Sequence, residues 1–331
     1  MDPLTHTAIG FLAGRAVGAR RWTSNWAWVM VFGANAPDSD SVARFLGREV
    51  LLEWHRHFTH ALAFAPLMAL ATVVGVRFVL RRPVQWWGAL GVALLGVVAH
   101  DLTDLLTYRG TRILLPFSDA YYALGIESFF DPVLYTLLGL AFGVPFLSNL
   151  VSGEIGARQA SGRASACVVL VLIGAWWSTR YVLRQEAMGE LASRVYLGEA
   201  PRRYDVYPSW QPLEFVALVE GRAFQKLTDL RLMRDFDAEG GQTYFRQVPS
   251  EAAGVALRKA GGTRTAQIFL AWARWPRSVV TRYDGETRWV VLMEELAVEK
   301  HLTRPRVIVK LDERYRIQSE EYERAKNSLG L

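Results

Sequence analysis

The chain of 331 residues holds one cysteine, Cys167. No disulfide can form within it, and a Cys-type structural zinc site is excluded because such a site needs several thiolates. There is no His-Glu-x-x-His and no Gly-x-Ser-x-Gly, so two common hydrolase frameworks are absent. No internal repeat is visible, which argues against a transporter built from inverted repeats. The opening Met1-Asp2-Pro3-Leu4 has no basic region, so no cleavable leader is expected. The net charge is +6, yet no basic run with interleaved aromatics accompanies it, and no nucleic-acid partner is expected.

Charge itself is scarce in one half. Residues 1–185 carry 11 of the 32 acids and 15 of the 38 bases, and residues 186–331 carry the other 21 and 23. The first stretch has a membrane composition and the second a soluble one. The expectation is a membrane α-helical bundle over 1–185 followed by a small α+β, mostly antiparallel domain outside the membrane over 186–331.

A span needs about 20 mostly apolar residues. Four uncharged stretches come close, at 61–76, 83–99, 132–153 and 164–179. Trp86, Trp87, Trp176 and Trp177 fall near their ends, where interfacial aromatics belong. Two weaker stretches, 7–18 and 26–37, precede them and bring the expected count to about six. They are short, and suit tilted helices, a pair that enters the bilayer and returns, or amphipathic surface helices.

With six alternating segments, one face collects Arg15, Arg20, Arg21, Arg77, Arg81, Arg82, Arg158 and Arg163 with a single acid, Glu154. The other collects Arg44, Arg48, Arg56, Arg109, Arg112, Arg180 and Arg184, the remaining ten acids and all five histidines of this half. Discounting Arg180 and Arg184 as the lead into a large domain gives eight arginines against five. The positive-inside rule then places the first face in the cytoplasm and the C-terminal domain outside.

The histidines and acids converge. His6 opens the first segment, and Asp38 and Asp40 follow the second. His55, His57 and His60 precede the third, and His100 and Asp104 end the fourth. Alternation puts all of them at one membrane depth, where ionisable groups are costly and usually functional. His100 and Asp104 are four apart and share a helix face. Imidazole with carboxylate suits zinc or another first-row divalent ion. Singly, each has a plainer role: Asp38 or Asp40 can cap a helix after Pro37, one of the three clustered histidines is expected to be solvated, and Asp101 faces away from His100 and Asp104.

The runs Asp2-Pro3-Leu4-Thr5-His6, Ala36-Pro37-Asp38-Ser39-Asp40, His55-Arg56-His57-Phe58-Thr59-His60 and His100-Asp101-Leu102-Thr103-Asp104 occur in this order. With Tyr108-Arg109-Gly110-Thr111-Arg112 and Phe130-Asp131-Pro132, they make the chain resemble the bacterial inner-membrane metal-dependent hydrolases of the YdjM type, some described as LexA-regulated. The likeness is strong over about 1–150, and looser at Tyr207-Pro208-Ser209 and over residues 271–276. His57 stands where that family commonly has glycine, and Ser39 where an aliphatic residue is usual. The ligand order is also distantly similar to that of zinc-dependent phospholipase C and the single-strand nucleases, which hydrolyse phosphodiesters with clustered metal ions. Asp131 or Glu127 would have to replace that group's later ligands.

These likenesses imply metal-assisted hydrolysis in the bacterial inner membrane. The expected ligands to one or two divalent ions, zinc first, are His6, Asp38, His60, His100 and Asp104. His55 and Asp40 stand behind them, completing a second ion's shell or orienting ligand imidazoles. Arg56 and Arg109 offer guanidinium groups to a phosphate or to a lipid headgroup. A site at the membrane interface suits a lipid or lipid-linked phosphoester. The alternatives are a structural metal clip in a non-catalytic membrane anchor, and an ion or metabolite transporter.

Past residue 186 the pattern changes. A helix is expected over 186–198, then an irregular linker at Pro201, Pro208 and Pro212. Strands are expected over 213–219, 243–248, 278–283, 287–292 and 306–311, with a hairpin turn at Asp284-Gly285. A helix capped by Ser250 covers 250–260, and 265–275 is either helix or strand. One histidine, His301, lies here, with no catalytic cluster. The domain reads as a lid, a substrate-positioning or an interaction module.

Overall fold

A computed structural model describes residues 1–156, 161–232, 236–246, 249–297 and 303–325. Arg158 and His301 lie outside the described residues. Helices α1 (Pro3–Val17) and α2 (Trp26–Gly33) come first. A stretch of tight turns follows, with the short α3 (Arg48–Trp54) inside it. Then come α4 (Ala65–Val74), α5 (Trp86–Leu105), α6 (Pro132–Glu154) and α7 (Arg163–Ser193). Among the described residues, four segments are long and apolar enough to cross a membrane: Leu62–Val79, Trp86–Leu105, Pro132–Glu154 and Arg163–Ser193. The two weaker stretches are shorter than a span. At about 1.5 Å per residue, α1 reaches about 22 Å and α2 about 12 Å, against about 30 Å of hydrocarbon.

Two helices start from the same dipeptide. Asp2 caps α1 by accepting from the Leu4 and Thr5 amides at 2.9 and 3.1 Å. Asp131 caps α6 through the Val133 and Leu134 amides at 2.8 and 3.0 Å. In both, proline takes the first helical position, where its missing N–H costs nothing. Helix α2 is drawn against α5 by glycine. A Cβ on Gly33 would stand 2.9 Å from the Ala93 carbonyl oxygen, and one on Gly96 2.9 Å from the Ala34 nitrogen. Small residues let helix backbones approach where lipid supplies no hydrophobic drive. This contact joins the end of α2 to α5, and α1 comes close as well: a Cβ on Gly10 would stand 2.7 Å from the Ala34 Cβ.

Helix α7 does not stop at residue 185. Its 31 residues extend about 46 Å, beyond any bilayer core. Leu183, Ala187 and Leu191 keep the four-residue spacing, and pack on Phe215, Ala217 and Val219 of the first sheet. The expected boundary therefore falls within a continuous helix. Arg180 is fully buried at the joint, donating to the Ile126 and Pro212 carbonyls. Arg184 pairs with Asp205 at 2.6 Å.

The C-terminal domain is two antiparallel four-stranded sheets. The first holds β1 (Arg203–Pro208), β2 (Glu214–Glu220), β3 (Phe224–Arg231) and β4 (Gln242–Phe245) in that order. Helices α8 (Glu251–Gly261) and α9 (Arg264–Trp272) follow. The second sheet holds β5 (Pro276–Arg282), β6 (Trp289–Glu295), β7 (Arg304–Leu311) and β8 (Ile317–Ala325). Ser250 caps α8, and the undecided 265–275 is helix α9 up to Trp272. Asp284-Gly285 joins β5 to β6. The expected irregular linker contains β1: Pro208 is tolerated because it ends an edge strand, where no ladder bond is lost. The last two residues of the expected 243–248 strand lie outside the described residues. Tyr108, just after α5, is buried with Tyr207, Val216, Leu218 and Trp275, so one apolar cluster joins the two halves.

Candidate metal centre

The histidines and carboxylates of four separate segments meet at one end of the bundle. His6 comes from the first turns of α1, Asp38 and Asp40 from the turn after α2, His60 from the turn before α4, and His100 and Asp104 from the last turns of α5. His6, His60, His100 and Asp104 are almost wholly buried.

Each imidazole is fixed through Nδ1. His100 Nδ1 is 2.8 Å from the Ala34 carbonyl, an acceptor only, so that nitrogen carries the hydrogen. His6 Nδ1 is 3.0 Å from the Thr103 hydroxyl, which itself donates to the His100 carbonyl and so accepts from His6. His60 Nδ1 is 3.0 Å from the Thr59 hydroxyl, which donates to Asp40. All three rings therefore turn Nε2 inward. His60 Nε2 and His100 Nε2 are 3.2 Å apart. Asp38 Oδ1 lies 3.5 and 3.7 Å from them, and Asp104 Oδ2 3.6 and 3.9 Å. His6 Nε2 is 3.4 Å from Asp104 Oδ1 and has no hydrogen-bond partner among the described residues, although it is buried.

Among the described residues the donors form three overlapping groups, each within 4.8 Å: His6, His100 and Asp104; Asp38, His60 and His100; and Asp38, Asp40 and His55. They fit a divalent ion. Two ligands about 2.1 Å from a tetrahedral ion stand about 3.4 Å apart, the spacing seen here. A buried, acceptor-ready His6 Nε2 and two Nε2 atoms facing each other make sense around a cation. The tethering of Nδ1 to oxygen is the usual way a ligand imidazole is oriented.

The electrostatics draw positive charge. Burial pushes the Asp38 carboxyl up, but the hydrogen bond from His60 and the charges of His100 and His60 outweigh it and hold it at about 2. Asp40 is held low by His55 and His60 against the same effect of burial. Burial pushes His60 down, yet Asp38 and Asp40 raise it to about 9. Asp104 attracts the Met1 α-amino group at 2.7 Å and Arg56 Nε at 3.1 Å.

Asp40 shares a group with Asp38, but both its oxygens are engaged by the 55–60 turn. Its Oδ1 accepts from His55 Nδ1 at 2.7 Å, and its Oδ2 from the Arg56 amide at 3.0 Å and the Thr59 hydroxyl at 2.7 Å. It organises the 55–60 turn, where Arg56 takes a left-handed φ of 63°, a conformation costly for a residue with a Cβ. Arg56 Nη1 donates to the Thr107 hydroxyl and the Gly110 carbonyl, each at 3.1 Å. His55 is half-exposed beside the cluster.

Several expected residues lie elsewhere. Arg109 stacks on Trp272 at 3.7 Å and serves the joint between the halves. Glu127 and Asp131 belong to none of the three groups; they accept from the indoles of Trp177 at 2.7 Å and Trp176 at 3.0 Å. Those tryptophans are thus held by buried acids, not only by a membrane interface. His57 packs edge-on against Phe58 and is in no group. Asp101 is buried outside the groups, its oxygens without a hydrogen-bond partner among the described residues. Sequence reasoning misses Thr59, Thr103 and the Ala34 carbonyl, which aim the imidazoles. Only the threonines' nearness to His60 and Asp104 in sequence hinted at them.

Fold and site together define a helical membrane protein with a histidine–carboxylate cluster at one end of its bundle. The chain belongs to the YdjM inner membrane protein family, whose model matches residues 1–187, through the end of the bundle. It is also similar to "Uncharacterized protein YfhP" of Bacillus subtilis (strain 168), 28% identical over 142 residues, which cover 41% of this chain and 43% of that protein. The match thus spans less than half the length of that relative. No solved structure matches the chain.

Proposed function

We propose that the protein is an integral-membrane metal-dependent hydrolase that cleaves a phosphoester of a lipid or lipid-linked substrate. The observation that carries this reading is the common orientation of His6, His60 and His100, each tied through Nδ1 and each presenting Nε2 to Asp38 or Asp104. Those five residues would hold one or two divalent ions, zinc first. When bound, such an ion supplies a water whose pKa falls from 15.7 to about 7.

The chain's own groups do the rest. Asp40 keeps the proton on His55 Nδ1, which leaves His55 Nε2 to take a proton from the water or return it to the leaving oxygen. Arg56 holds Asp104 with Nε and has Nη2 left for a phosphate oxygen, with no protein partner among the described residues. Helices α1 and α2, packed inside the bundle, would complete six membrane segments as a short pair. The arginine-rich face would be cytoplasmic, which puts the cluster and the sheet domain on the outer side.

The test is hydrolysis of bis(p-nitrophenyl) phosphate by the full chain in detergent, with and without chelator. The reading predicts chelator-sensitive hydrolysis that His100→Ala and Asp104→Asn abolish. Activity that survives both substitutions overturns it.

A further inference from the structure

An open apolar groove of about 350 Å³ lies between α2 and α4. Its mouth is formed by Asn35 and Ser39, on either side of the Ala36-Pro37-Asp38 turn, so it begins next to the cluster. From there it follows Met68, Gly75 and Val79 down α4 and the turn beyond it. Met68 to Val79 is about 16 Å of helix, close to half of the about 30 Å hydrocarbon core, the depth of one leaflet. At the mouth, Asn35 donates to the Thr7 hydroxyl and the Val31 carbonyl, at 2.7 and 2.8 Å. Its Oδ1 is buried with no hydrogen-bond partner among the described residues. The middle of the groove is open at Gly75, where a Cβ would meet nothing within 4 Å.

We infer that this groove seats one hydrocarbon chain of a phospholipid-like substrate from the leaflet nearest the cluster. The ester linkage lies at the mouth, where the Ser39 hydroxyl can donate to it, and the phosphate at the histidines and carboxylates. The apolar wall, its one-leaflet depth and the polar mouth beside Asp38 are what a lipid has in the same order: tail, linkage, head. The inference rests on the phosphoesterase reading for the head, but the tail site can be tested without turnover.

The full chain in maltoside micelles is mixed with equimolar phosphatidic acid carrying a diazirine on one acyl chain, irradiated, and mapped by peptide mass spectrometry. Label is expected on residues 68–80 in preference to the exposed Phe146 and Leu147 of α6. Gly75→Trp, which fills the groove, should lower it about tenfold, the factor for losing contact with about two methylene groups. Gly75→Ala should leave it unchanged. Ala71→Trp, on the same wall, is the second blocking variant should the first not fold. Equal labelling of α4 and α6, or labelling indifferent to both tryptophans, overturns the inference. A labelled groove on a chain that hydrolyses no phosphodiester refutes the hydrolase reading alone. Hydrolysis of bis(p-nitrophenyl) phosphate by a chain whose groove takes no label refutes the tail site alone.

Discussion

In the sheet domain, Glu214, Glu294 and Glu323 each face an arginine directly across the ladder: Arg231 at 2.8 Å, Arg277 at 2.5 Å and Arg306 at 2.5 Å. In the bundle, Asp38, Asp40 and Asp104 face imidazoles brought from three distant stretches of chain. The first arrangement is local. Each pair sits where two strands place opposite charges opposite each other, and each supports the strands it lies on. The second is convergent, and its imidazoles share one orientation. Acids therefore mean different things in the two halves: partners for strand register in one, a basin for a cation in the other.

The contrast can be broken by variants that should touch one half only. The largest effect is expected from Trp275→Ala. Trp275 is 1% exposed in the cluster that joins Tyr108 to both sheets, so about 3–5 kcal/mol of stability should be lost. Thermal unfolding in detergent reads this, and bound metal should be unchanged; metal lost together with stability would mean the halves are not separable. Next, Asp40→Asn removes the acceptor that orders the 55–60 turn. Metal affinity should weaken about 10–100-fold, the usual cost of losing such a partner. Titration with a competing chelator reads it, and unaltered affinity would return Asp40 to a merely structural role.

A third variant sharpens the boundary between the halves. Burial, with Asp131 adding to it, pushes Glu127 from 4.5 up to about 8. An acid whose folded pKa is raised binds a proton more readily folded than unfolded. Its contribution to stability is therefore greatest at or below 4.5 and falls as pH rises to about 8. Glu127→Gln should remove that part of the pH dependence of the unfolding midpoint, and identical profiles would count against it. The smallest effect is expected for Arg306→Ala, whose pair with Glu323 is about a third exposed. Its unfolding should change by no more than about 1 kcal/mol.

Much of this was legible in the residues because each signal was physically strong. Four uncharged runs mark four long segments, and the spacing of His100 and Asp104 puts both on one helix face. The convergence of His6, Asp38, His60 and His100 followed from alternation alone, although two of the intervening helices are shorter than spans. What escaped depends on tertiary context. The turns at 37–64 have no periodicity, so the residues alone could not choose between Asp40 as a ligand and Asp40 as the acceptor that orders the turn. Helix α7 crosses a composition change without ending, because Leu183, Ala187 and Leu191 find a sheet to pack on. Strand β8, with three glutamates in Ile317–Ala325, lacks an apolar alternation, and β1 hides behind Pro208. Arg109 and the pair Glu127 and Asp131 sat in conspicuous runs, yet their partners are indoles from distant segments.

The most direct measurement is the metal content of the purified full chain, beside its His100→Ala and Asp104→Asn variants. The account predicts one or two divalent ions per chain in the natural sequence, and their loss in both variants while the helical content persists. A natural chain free of metal after purification without chelator, or variants that keep the same content, would contradict it.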